Sequence, residues 1–368
     1  CSTRYCGPEC QKQHWEGGGH DKLCKLIKKA GGAEQYNANN KYAEAVSVAA
    51  EACADDTKGQ TCYICTQALH WKTKEGLVRG CSCRGTAGFA HVSCLAEQAQ
   101  ILVAEAEDNN LGDKVLNERV ARWYSCSLCE QRYHGVVCCA LGWACWKTYL
   151  SRPEGDQVLT MAMNLLGSGL SAANYIEEAL SVRETELSTL RRIGAPEHQI
   201  LVVQSNLAST YEMLGQIEPA LSLQQGVYFG FLKLYGEEHQ YTLSLAINYA
   251  DLLKNLNRFE EAKSLLHKTI PVARRALGDS NDTTLRMRRV YARTLYVDPG
   301  ATLDDLREAV TTLEDAGRIT RRVLGDAHPF TMQMKTSLRN ARAALGAREG
   351  GDVASIREAV AAMTTGDA

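Results

Sequence analysis

Eight cysteine and histidine side chains stand in short pairs between residues 62 and 129: Cys62-x2-Cys65, Cys81-x-Cys83, His91-x2-Cys94 and Cys126-x2-Cys129. Thiolate sulfur and imidazole nitrogen are the donors Zn²⁺ prefers, and four of them complete a tetrahedral shell with no position left for water. A closed shell of this kind is structural. The metal replaces a hydrophobic core that so short a segment cannot build. Ordinary core cysteines would not fall into four such pairs.

A second cysteine-rich stretch opens the chain: Cys1, Cys6, Cys10, His20 and Cys24. The chain begins at Cys1 and not at methionine, which suggests a fragment cut inside a motif. All fifteen cysteines precede residue 146. Disulfides scattered through a secreted protein would not stop at such a boundary, whereas reduced intracellular thiols are available as ligands. A cytoplasmic or nuclear compartment is therefore expected. Cys53, Cys138, Cys139 and Cys145 fall outside both patterns and are expected to pack as small hydrophobes.

The remainder of the chain must carry these sites. Its 368 residues exceed one compact core, and 45% hydrophobic residues with a formal net charge of −2 describe an ordinary globular protein. No global basic field recommends nucleic acid as a partner, and nucleic acid is not expected. Lys22, Lys25, Lys28 and Lys29, like Arg286, Arg288 and Arg289, read as solvated helix faces. No stretch approaches the roughly 20 apolar residues that span a bilayer, so no membrane partner is expected. Gly135 to Trp146 reads as a buried helix. The expected organisation is a unit at 1–30, a helical linker at 31–61 (helix from about Lys41 to Ala54), the large cysteine module at 62–134, a connecting helix at 135–160 and helical repeats at 161–368.

The repeats are visible directly. Asn206-Leu-Ala-Ser-Thr-Tyr211 returns as Asn248-Tyr-Ala-Asp-Leu-Leu253 and as Val290-Tyr-Ala-Arg-Thr-Leu295. Gly194, Gly236 and Gly278 keep the same step, and Gly325 follows after a longer one that accommodates the insertion at 297–301. Within a unit, Ala208 pairs with Ala220 and Ala250 with Ala262, small residues that let two helices approach closely. A fixed period with helix–turn–helix patterning implies a stacked solenoid, because one hairpin cannot bury its apolar face alone. His198, His239 and His328 recur at repeat turns and read as structural. The expected fold class is mostly α: two small zinc-stapled modules followed by an α-helical solenoid.

Three resemblances follow from these residues. CSCRGTAGFAHVSCL, with its Cys-x-Cys, Gly-rich bend and His-x-x-Cys-Leu, resembles the RING-CH (RING-variant) finger; the ligand order also occurs in PHD fingers, whose spacing fits less well. The resemblance implies interleaved sites, with Cys62, Cys65, His91 and Cys94 on one zinc and Cys81, Cys83, Cys126 and Cys129 on the other. It further implies a ubiquitin ligase without a nucleophile of its own, whose finger recruits a ubiquitin-conjugating enzyme through the position of Ile64, pointing outward. Trp123 and Tyr133 also fit that pattern. Two positions depart from it: Gln98 stands where the family has Trp, and Glu130 where many active ligases have a cation. They favour the alternative reading, a non-enzymatic interaction scaffold. Residues 1–24 resemble the second half of a MYND finger, which implies zinc ligation by Cys1, Cys6, Cys10, His20 and Cys24 and a proline-containing peptide as partner. Leu-Ala-x-x-Tyr…Ala, at roughly 160–345, resembles the tetratricopeptide repeats of kinesin light chains, which implies protein or peptide substrates on the solenoid.

Overall fold

The computed structural model describes residues 12, 17, 20–326 and 328–364, without the side chains of 20, 21 and 351–364. The chain divides into two compact units, Cys1–Ala195 and Pro196–Ala368. It is mostly α, as expected, and the described residues contain no strand, only the isolated antiparallel bridges Val78–Ala90 and Ser125–Arg132.

In the first unit, helices α1 (His20–Ala30), α2 (Ala33–Ala52) and the short α3 (Ala54–Thr57) precede an irregular segment that carries the first two cysteine pairs and His91. Helices α4 (Val92–Asp108) and α5 (Gly112–Val120) separate His91 and Cys94 from the last pair. Helices α6 (Gly135–Tyr149), α7 (Gln157–Ala172) and α8 (Ile176–Arg192) complete the unit. Helix α2 begins eight positions before the expected Lys41, through Asn37, Asn39 and Asn40. Packing explains this: α2 lies along α6, and tertiary burial overrides the weak helix preference of asparagine. Val46 and Ala49 of α2 join Phe89, Tyr133, Val137 and Leu141 in one core around the cysteine module.

Helix α6 is the buried helix that Gly135 to Trp146 suggested, and Cys139 and Cys145 are buried in it as small hydrophobes. It meets α7 at backbone distance. A Cβ on Gly169 would lie 2.8 Å from the Cys138 carbonyl oxygen, and one on Gly142 would lie 3.0 Å from that of Leu165. Only glycine permits this crossing.

The second unit consists of α9 (Glu197–Met213), α10 (Ile217–Tyr235), α11 (Gln240–Asn255), α12 (Phe259–Leu277), α13 (Asp282–Val297), α14 (Leu303–Leu324) and α15 (Pro329–Thr364). Each helix packs on the next, and α13 also touches α11 and α15. Ala208, Ala220, Ala250 and Ala262 are all fully buried, as the twelve-residue spacing requires. Ala292 and Ala309, on either side of the insertion, are fully buried in the same core. Gly236, Gly278 and Gly325 end their helices at φ 81°, 89° and 82°. His239 Nδ1 accepts the Tyr241 N–H, His328 Nδ1 accepts that of Phe330, and Asn281 Oδ1 does the same for Thr283. These side chains are helix N-caps, a structural role. None of the described helices is long and apolar enough to cross a membrane.

The close alanine contacts give a direct expectation. Ala262→Leu overfills the α11–α12 contact and should cost about 1–3 kcal/mol in denaturant unfolding of the full chain. An unchanged midpoint would mean that the hairpin has room to spare.

Candidate metal centre

The first and last cysteine pairs sit on two copies of one turn. Cys62 N–H donates to Gln67 O at 3.0 Å and Thr66 N–H to Cys62 O at 2.8 Å, while Thr66 has φ 62°. Cys126 N–H donates to Gln131 O at 2.9 Å and Glu130 N–H to Cys126 O at 2.9 Å, with Glu130 at φ 57°. In each copy backbone N–H groups point at the first sulfur: Ile64 and Cys65 donate to Cys62 Sγ at 3.4 and 3.5 Å, and Leu128 to Cys126 Sγ at 3.4 Å. Such donors favour the ionised thiolate, the form that binds metal.

The third pair opens helix α4. His91 precedes it and Cys94 lies in its first turn. The helix start has no capping side chain of its own. The Glu75 carboxylate does that work from a distance, accepting Ser93 N–H at 2.7 Å and Ser93 Oγ–H at 2.9 Å. Tyr42 of α2 joins the network through its hydroxyl, 3.0 Å from Ser93 Oγ. Losing the carboxylate leaves a part-buried N–H unpaired beside Cys94. Glu75→Ala should therefore lower stability by about 1–2 kcal/mol. Hydrogen exchange over residues 92–96 should rise while metal content stays unchanged.

The second pair, Cys81 and Cys83, lies over the Gly-rich bend. A Cβ on Gly88 would sit 2.6 Å from Cys83 Cβ and 3.2 Å from Cys81 Sγ, and Gly88 itself has φ 85°. Both the space and the backbone conformation demand glycine there.

The four pairs converge as two clusters. One ligand atom each from Cys62, Cys65, His91 and Cys94 lies within 4.8 Å of the others, and the same holds for Cys81, Cys83, Cys126 and Cys129. The chain thus alternates between the clusters: first and third pairs in one, second and fourth in the other. A tetrahedral ion with metal–sulfur bonds of about 2.3 Å holds its sulfurs roughly 3.8 Å apart. Cys83 Sγ and Cys126 Sγ are 3.7 Å apart, and His91 Nδ1 lies 3.6 Å from Cys94 Sγ and 3.3 Å from Cys65 Sγ. The donor sets fit a closed metal shell in chemistry and in spacing.

His91 is oriented for this role. Its Nε2 faces the Ala68 carbonyl at 3.4 Å, which leaves Nδ1 with a free lone pair toward the sulfurs. Burial lowers its pKa, so the ring is the neutral ligand form. His70 packs edge-on against it, 5.3 Å between ring centres. The thiols are crowded together in each cluster. Burial pushes Cys81 up to about 11 and Cys83 and Cys94 higher still, with neighbouring thiols adding to the rise at Cys83 and Cys94. For Cys129 burial acts the same way, but donors from the Gln131 backbone and the Cys83 and Cys126 thiols prevail and bring it down to about 7. A cation held among the sulfurs would let all of them ionise.

Other expected site residues fare differently. Cys1, Cys6 and Cys10 lie outside the described residues, as does the His20 side chain; Cys24 is half-buried on α1. Ile64 does not simply point outward: it is half-buried against the module's core. Leu128, at the same place in the matching turn, is 52% exposed, and Leu69 and Trp71 are also exposed. Trp123 and Tyr133 are buried packing residues. Gln98 is half-buried on α4, and Glu130 is exposed.

Residues 62–110 match the family model of the RING-variant domain, and residues 242–282 that of a tetratricopeptide repeat. The chain carries both domains. The first match takes in six of the clustered ligands and stops before Cys126 and Cys129, which the fold brings back to the second cluster. A comparison with curated proteins finds no match. Among solved structures, the nearly identical tetratricopeptide-like repeats of a putative kinesin light chain of Podosopora anserina share 21% identity, over 56% of this chain and 95% of that one, with a TM-score of 0.45. BtubC from P. vanneervenii shares 15% identity, over 75% of this chain and 93% of that one, with a TM-score of 0.46.

Proposed function

We propose that this chain is a zinc-binding modular protein that acts as a RING-CH-type ubiquitin ligase. The two alternating Cys/His clusters, six of whose eight side chains fall within the RING-variant match, carry the reading. Cys62, Cys65, His91 and Cys94 would hold one Zn²⁺, and Cys81, Cys83, Cys126 and Cys129 the other. Zinc in a closed shell supplies rigidity, not reactivity. The finger then offers a fixed apolar surface, including Ile64, to a ubiquitin-conjugating enzyme, and the enzyme's own thioester does the chemistry. The tetratricopeptide repeats would capture protein substrates, since stacked hairpins present an extended concave surface. The unit at 1–30 would add a proline-containing peptide as partner if its ligands close a MYND site.

A second reading has its own observations. Gln98 and Glu130 replace an aromatic anchor and a cation, and a finger so altered would serve as a scaffold that binds proteins without promoting transfer. Autoubiquitination of the full chain with a panel of conjugating enzymes separates the two. Transfer by the wild type that Cys62→Ala abolishes supports the ligase, and uniform inactivity supports the scaffold.

A further inference from the structure

Helix α13 is enclosed on most sides. It packs on α12 and α14 and also lies against α11 and α15. Among the described residues, α12 makes no comparable contact with α10 or α14, so the layer of α11, α13 and α15 is the inner side of the stack. The uncovered side of α13 faces that inner surface. From Thr283 to Leu295 only three residues are not buried, and all three are arginines: Arg286, Arg289 and Arg293. Arg288, placed on a solvated face by the sequence, is buried instead, with its guanidinium 3.5 Å from the Thr312 carbonyl and 3.9 Å from Asp315.

The three exposed arginines form one stripe, about 4.5 and 6 Å apart along the helix axis. Like charges at these spacings oppose the helix that carries them. Carboxylates answer them only in part. Arg286 pairs with Asp282 at 2.7 Å. Arg293 joins no ion pair or hydrogen bond among the described residues. Arg289 is half-buried and its Nε has no partner. Burial lowers its pKa; the Asp251 charge opposes the fall, and Arg293 and Arg286 add to it. Asp251 itself is taken by Lys254. The guanidinium groups of Arg286 and Arg289 also converge, over the same Phe330 ring at 5.8 and 6.0 Å from its centre.

We infer that this stripe receives a phosphorylated serine or threonine of a partner protein, its phosphate held by Arg286, Arg289 and Arg293. The inference rests on the reading of the repeats as the part that captures substrates, and it names their class. A phosphate brings nearly two charges and three acceptor oxygens in one group, and planar guanidinium forks match its geometry. A single carboxylate, with one charge and two oxygens, leaves the third arginine unanswered. Nucleic acid fits less well, because Asp251 and Asp282 flank the stripe and would repel a continuous polyanion.

The probe is a labelled peptide pool with a fixed central phosphoserine and randomised flanks, offered to the immobilised full chain. Retention should exceed that of the matching serine pool at least tenfold. Arg286→Gln with Arg293→Gln removes two exposed charges and should abolish the excess. Arg318→Gln with Arg322→Gln removes two exposed charges from α14 and should leave it intact. Should the α13 pair lower the thermal midpoint, Arg293→Gln alone decides, with at least a threefold loss expected. Equal retention of the two pools, or full retention by the α13 variant, overturns the proposal. So does a glutamate pool retained as well as the phosphoserine pool, which would make this a carboxylate site, or an oligothymidine retained more strongly than either. Binding requires no conjugating enzyme. Failure here therefore leaves the ligase reading standing, and an inactive finger leaves this binding standing.

Discussion

Cys126→Ala should lower the zinc content of the full chain by two ions, not one. The substituted residue belongs to one cluster, but the pairs alternate along the chain, so each cluster ties down the segments that flank the other. With Cys126 gone, the second shell is open, and the turn at 126–131 and the bend at Gly88 lose their anchor. The helix start at His91 and Cys94 directly follows that bend. Each structural zinc contributes on the order of 10 kcal/mol to folding, more than so small a core can replace. Hydrogen exchange should therefore show residues 62–133 unprotected in the variant, and equally so in wild type stripped by a chelator. Val46, Ala49, Val137 and Leu141 share the module's core, so protection should also fall in the second half of α2 and the first turns of α6. Protection within Pro196–Ala368 should hold, because the packing of that unit contains no cysteine. Loss of a single ion would show that the two sites fold independently. No loss would remove Cys126 from the ligand set. Any zinc on residues 1–24 is common to both proteins and cancels in the difference.

The helical hairpins were legible because their signal is periodic. Ala208, Ala220, Ala250 and Ala262 recur where two helices must touch, and a small residue repeated at that interval marks a close helix crossing. The two clusters were legible because cysteine and histidine pairs at short spacing have one common use. Local contributions without periodicity stayed hidden. Glu75 stands eighteen positions before Ser93, whose N–H it accepts, and nothing near it marks it as a cap. The role of α2 was obscured by its composition: few large apolar residues, with Ala38, Val46 and Ala49 as its buried contacts. Read as a linker, it is part of the core that holds the metal module. Leu128 could have been found. It occupies, in Cys126-Ser-Leu-Cys129, the place that Ile64 occupies in Cys62-Tyr-Ile-Cys65, and the two turns share their hydrogen bonds.

Leu128→Ala should leave both zinc ions bound and stability nearly unchanged, yet reduce ubiquitin transfer about tenfold. Its side chain is 52% exposed, so truncation removes little buried area from the fold, whereas an apolar anchor lost from a small interface costs more than about 1 kcal/mol. Ile64→Ala should reduce transfer as well, but Ile64 is half-buried against the core, so a modest loss of stability comes with it. Measured together, the two variants separate a damaged surface from a damaged fold, which a ligand substitution cannot do. The reverse changes test the same surface from the other side. Gln98→Trp restores an aromatic on α4, and Glu130→Arg replaces an exposed anion by a cation. Glu130 sits at φ 57°, a conformation no more strained for arginine than for glutamate, so the second change alters charge and little else. Both should raise transfer if the finger engages a conjugating enzyme weakly. Should wild type, Gln98→Trp and Glu130→Arg all remain inactive with every conjugating enzyme while retaining zinc, the finger is a protein-binding scaffold and the ligase reading falls.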